Sequence, residues 1–127
     1  SQYPTIEAAV QRLMEHDPLL NRELAEYVCQ HGLKPNGEGQ LRWKYDHQVR
    51  GFGSAEAASV EANDLWQAIR CPVLLMYGAE SWASNPQKDG RLEHFAQARV
   101  VSIEGAGHNL HHHQPEAFLA HLRGFMG

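Results

Sequence analysis

The stretch RVVSIEGAGHNLHHHQPEAFLAHLRGFM, residues 99–126, decides how the chain is to be read. Its opening, Arg99 to Gly105, has the apolar, β-branched character of a short strand, and its close has helical spacing. Pro115 suits a first helical position, where no backbone N–H is needed, and Phe118, Leu119, Leu122, Phe125 and Met126 fall on the face expected inward. Between strand and helix lie Gly105, Gly107 and the histidines His108, His111, His112 and His113. Upstream, CPVLLMYG at residues 71–78 is a continuous apolar run ended by glycine, as in a strand buried on both faces of a parallel sheet. Residues 85–98, NPQKDGRLEHFAQA, link the two as a loop and then a helix through Leu92, Phe95 and Ala96. Strand, helix, strand, helix with short links is a βαβα unit, whose crossover is expected to be right-handed.

Residues 1–70 have another character. PTIEAAVQRLMEHDP places Ile6, Ala9, Val10, Leu13 and Met14 on one helical face, with Thr5 as N-cap and Glu7 at the positive end of the helix dipole. Asp17-Pro18 stops that helix and starts a second, expected over Pro18 to Gln30 with Leu20, Leu24, Tyr27 and Val28 inward and Gly32 as its stop. Residues 32–54, rich in glycine and polar groups, are expected to form a long irregular loop anchored by Trp43, Tyr45 and Phe52. A third helix is expected from Val60 to Ile69, packed through Val60, Leu65, Trp66 and Ile69, with Ser54 as a helix cap.

Composition narrows the function classes. A net charge of −4, with eleven basic residues scattered singly, argues against nucleic acid as a partner, because phosphate binding needs clustered Lys and Arg. The longest apolar run, Val73 to Tyr77, is far short of the roughly 20 residues of a membrane span. No signal-peptide pattern stands at the N-terminus, and Ser1 in place of Met suggests a processed, cut or engineered polypeptide. Cys29 and Cys71 lack metal-type spacing and are expected to be free buried thiols in a cytoplasmic protein.

In an open α/β sheet, functional groups gather at the carboxyl ends of the strands. Two loops occupy that edge, GAESWASNP at 78–86 and EGAGHNLHHHQP at 104–115, and they are expected to lie side by side. Gly105 and Gly107 let the backbone turn sharply before His108, which is then either a solvated loop histidine or a general base facing an acid of the neighbouring loop. The clustered histidines also invite a metal reading. Ligands must converge within about 2.0–2.2 Å of one ion, however, and three consecutive histidines point in different directions. We expect no functional metal site and no cofactor.

IRCPVLLMYGAES, residues 69–81, together with VVSIEGAGHNLHHHQPEAFLAHLRGFM, residues 100–126, resembles the C-terminal part of the α/β-hydrolase fold. The match runs residue by residue from Gly105 to Phe118, and GQLRWKYD at 39–46 resembles, more loosely, the helical cap of esterase-like members. The resemblance implies an α/β fold in which residues 1–70 are cap-like and residues 71–127 are the last βαβα portion of an incomplete sheet domain. It implies that His108 corresponds to the general base of a serine hydrolase acting on a carboxylic ester or similar small acyl substrate.

The chain departs from the family pattern in two places. The position three residues after Gly78, where many members carry the triad Asp, is Ser81. The acid is then Glu80 or lies upstream of Ser1; Asp46 and Asp89 are expected to be surface or cap-loop residues. The G-x-S-x-G nucleophile elbow does not occur in these residues, nor does the loop that would complete an oxyanion hole. The chain by itself is therefore expected to be inactive; the alternative is a non-catalytic α/β-hydrolase-like interaction domain. Trp66 is expected in the core, and Trp82 at an acyl pocket or cap contact. Because a two-stranded sheet is marginal alone and strand 72–77 offers an uncovered edge, homodimerisation through it or association with the N-terminal half of a hydrolase is expected.

Overall fold

A computed structural model describes residues 1–45 and 55–127, the side chains of 55–61 excepted; the sequence expectations for Asp46, Phe52 and Ser54, and for the packing of Val60, lie outside what is described. Cα proximity divides the chain into two units, Ser1–Phe52 and Gly53–Gly127.

In the first unit, strand β1 (Gln2–Tyr3) precedes helix α1 (Ile6–His16), which the Thr5 side chain caps by accepting the Ala8 N–H. Helix α2 (Arg22–Gly32) begins later than the Asp17-Pro18 pair suggested, because the Asn21 side chain accepts the Leu24 N–H and so fixes the first turn there. Arg22 ties the helices together through Glu7 at 2.6 Å. The described part of the expected irregular loop, residues 32–45, contains instead a hairpin of β2 (Leu33–Pro35) and β3 (Leu41–Trp43), and β1 pairs antiparallel with the other edge of β3. Its turn is held by the Asn36 side chain, which accepts the N–H groups of Glu38 and Gln40.

The core of this unit is Ala9, Val10, Leu20, Ala25, Cys29 and Leu33, flanked by Tyr3, Leu24 and Trp43. The apolar face of α2 thus centres on Ala25 and Cys29 and leaves Tyr27 60% exposed, against a ring contact with His31. Burial pushes the Cys29 thiol above its ordinary pKa. Cys71, expected to be buried, is exposed.

The second unit opens with α3 (Ala55–Ala68), where Trp66 stacks on Phe95 at 5.7 Å between centroids. Leu65, expected to pack, is 67% exposed. Strand β4 (Val73–Gly78) pairs in parallel with β5 (Ala98–Ile103), in the register Val73 to Ala98 through Gly78 to Ile103. The connection contains a 3-10 helix, Arg91–His94, in place of the expected α-helix. Its entry at Gly90 takes the left-handed φ of +85°, and it stops at Phe95 after one turn. A short helix α4 (Leu110–His113) follows, then α5 (Pro115–Met126) with Pro115 in its first turn. Leu119 and Met126 point outward, 41% and 77% exposed, whereas Phe118, Leu122 and Phe125 are half-buried. Strand β4 is likewise only half-buried along Val73–Tyr77, so the two-sided burial expected of it is not met among the described residues. Among those residues no helix is long and apolar enough to cross a membrane.

Candidate active site

The carboxyl ends of β4 and β5 bring their two following loops into backbone contact. The Ala79 N–H donates to the Ile103 carbonyl at 3.0 Å and the Glu80 N–H to the Ala106 carbonyl at 2.9 Å. Gly78 makes the crossing possible: a Cβ there would collide with the backbone oxygens of Gly107 and Ala106. Gly105 turns the chain with a φ of +67°, in the left-handed region that glycine enters freely. The small residues therefore work as backbone spacers that set His108 beside the β4 loop.

His108 is exposed at this junction. Its Nδ1 lies 3.3 Å from Ser81 Oγ, and its ring is 4.4 Å from that of Trp82, tilted by 31°. Trp82 is 83% exposed and so covers one face of the imidazole without belonging to a core. Ser81 Oγ also accepts the Ala83 N–H at 3.1 Å, which fixes the hydroxyl in a tight local turn. Glu80 is exposed, and its backbone rather than its carboxylate makes the loop contact; the group at the ring nitrogen is Ser81. His108, Ser81, Ser84, Arg91 and Leu110 line a cleft of about 320 Å³ together with residues Leu74–Gly78 of β4.

The β4 loop carries its own scaffold, which composition did not reveal. Asp89 accepts from Ser84 Oγ at 2.6 Å and from Arg91 Nε at 2.8 Å, and Arg91 Nη2 reaches the Ser84 carbonyl at 2.6 Å. These charge-assisted bonds, that from Arg91 first, hold the Asp89 carboxyl well below the usual carboxylate range. Asn85 donates to the Tyr77 hydroxyl at 2.7 Å, tying the loop back to β4.

The neighbouring histidines separate in role. His113 Nδ1 accepts the Gly107 N–H at 2.9 Å, so this ring anchors the backbone immediately before His108. His111 and His112 lie ring to ring at 4.1 Å. Among the described residues no three His, Cys, Asp or Glu side chains gather in a metal-holding group. The anchoring role of His113 depends on where α4 places one side chain relative to a loop amide six residues earlier; the only hint in the sequence was the short spacing after two glycines.

Comparison with known proteins bears on the fold. No family model matches the chain. Protein ABHD14A of Rattus norvegicus is 32% identical over 82 residues, which are 63% of this chain and 34% of that protein. A Mycobacterium tuberculosis esterase superposes with a TM-score of 0.82 at 23% identity, over 99% of this chain and 42% of that one. This chain has part of the α/β-hydrolase fold. A thioesterase domain from the curacin biosynthetic pathway is 28% identical with a TM-score of 0.74, over 96% of this chain and 44% of that one. The chain thus spans about a third of the curated relative and under half of the solved hydrolases.

Proposed function

We propose that these residues are the C-terminal portion of a serine hydrolase acting on a carboxylic ester or similar small acyl substrate, with His108 as its general base. The observation that carries this reading is the exposed His108, set by a glycine-framed turn at the carboxyl edge of β5 and at the rim of the cleft. The esterase and thioesterase among the structural neighbours favour acyl chemistry. In this reading residues 1–70 serve as cap, Trp82 contacts the acyl group, and the nucleophile and oxyanion donors come from a preceding half-sheet. The orienting acid is Glu80, once its carboxylate takes the place of Ser81 at Nδ1, or a residue of that other half. No cofactor takes part, and the free thiols suit a reducing cytoplasm.

The free edge of β4 is where we place the partner: the preceding half-sheet or, for the isolated chain, a second copy. A monomer in size-exclusion chromatography of the 127 residues would contradict self-association. The hydrolase reading is tested with a fluorophosphonate probe on the product of the whole reading frame. One labelled serine is expected, with labelling lost in His108→Ala; a protein that reacts at no serine and cleaves no ester contradicts it. A second reading, a non-catalytic interaction domain, draws on Ser81, since a neutral hydroxyl stands at Nδ1 where a carboxylate would stabilise an imidazolium. That reading predicts an unlabelled, well-folded protein.

A further inference from the structure

The proton inventory at Ser81 bears on the direction of its contact with His108. A serine hydroxyl has one proton to give and two acceptor sites. The Ala83 N–H fills one acceptor site, and accepting that bond polarises the hydroxyl and strengthens it as a donor. The ring nitrogen 3.3 Å away is then the natural acceptor for the Ser81 proton, giving the chain Ala83 N–H to Ser81 O–H to His108 Nδ1. The reverse arrangement, Nδ1–H donating to Oγ, forgoes this reinforcement and sends the hydroxyl proton elsewhere.

We propose that Ser81 is a positioning residue that holds neutral His108 in the tautomer protonated at Nε2, so that the ring presents a donor and not a base until a carboxylate replaces Ser81 at Nδ1. A carboxylate accepts only, and it therefore forces the proton onto Nδ1 and leaves Nε2 basic. Serine at this position uncouples the presence of the histidine from its readiness as a base. The inference rests on the hydrolase reading for its consequence in catalysis, but the tautomer itself belongs to this chain. It also explains how one loop can carry both Ser81 and Glu80: the hydroxyl holds the ring in the resting arrangement, and the acid one residue earlier is within the same loop to exchange with it.

The test is 15N NMR of histidine-labelled protein at about pH 9, above the ordinary imidazole titration. Wild type and Ser81→Thr should both carry the His108 proton on Nε2, with Nδ1 bare; Ser81→Asp should move it to Nδ1. A wild-type ring protonated at Nδ1, or a Ser81→Asp ring still protonated at Nε2, overturns the proposal. If Ser81→Asp does not fold, a wild-type proton on Nδ1 still overturns the proposal, and Ser81→Ala, which removes the donor, is expected to shift the tautomer balance away from Nε2 relative to wild type. The two readings fail separately. Ester turnover lost in His108→Ala, with a wild-type proton on Nδ1, leaves the hydrolase reading standing and removes this one. A proton on Nε2 in a protein without serine reactivity does the opposite.

Discussion

Among the described residues, the buried positions of the unit Ser1–Phe52 are Ala9, Val10, Leu20, Ala25, Cys29 and Leu33, with Val10 and Cys29 the largest fully buried side chains, whereas those of Gly53–Gly127 are Gly78, Pro86, Ile103, Ala106 and Gly107, mostly small residues at a loop crossing. The first unit closes by filling a helical interface. The second concentrates its tight packing where two strands end and leaves β4 and α5 half-covered. A small-residue crossing is a poor way to bury apolar area but an effective way to fix backbone, and it is the part of the molecule that carries His108. Stability in the first unit should therefore follow volume, and in the second it should follow van der Waals clearance and hydrogen bonding.

The largest expected effect is that of Gly78→Ala. Its Cβ meets backbone oxygens of Ala106 and Gly107, which cannot move aside as a flexible side chain would. We expect a loss of about 3 kcal/mol or more in denaturant unfolding, with the His108 NMR signals displaced. A loss below about 1 kcal/mol would break the contrast. Val10→Ala, which empties volume in a filled interface, should cost about 2 kcal/mol by the same measurement. The corresponding truncation on α5, Leu119→Ala, should cost about 0.5 kcal/mol, because that side chain is 41% exposed. His113→Ala leaves the buried Gly107 N–H without its acceptor and should cost about 1–2 kcal/mol. Faster hydrogen exchange at Gly107 is its specific sign.

Acid gives the smallest effect. Asp89 has a depressed pKa in the folded state, so its stabilisation is complete above the unfolded carboxylate value of about 3.9 and is lost as pH falls through the folded value. Asp89→Asn should flatten the acid limb of a stability–pH curve slightly; an unchanged limb would show that the Ser84–Asp89–Arg91 loop scaffold adds nothing.

The sequence was most legible where periodicity or composition is local. The apolar run of β4, the strand before Gly105 and the Pro115-started helix follow from short windows. The small antiparallel sheet was hidden because strands of two or three residues have no period, and the Asn36 turn looked like loop composition. Helical spacing gave the faces of α2 and α5 but not their depth, so Tyr27, Leu119 and Met126 were expected inward and lie outward. At the site, the glycines placed His108 from sequence alone. The Ser81 contact and the His113 anchor arise between loops, from rotamers that no spacing rule encodes, and Ser81 stood out only as a missing acid.

The most direct test of the account is the ester-hydrolysis kcat/KM of the product of the whole reading frame, compared between wild type and His108→Ala. A general base acting with its nucleophile predicts a fall of about a thousandfold or more. Turnover by His108→Ala within about threefold of wild type would contradict the assignment of His108 as the base.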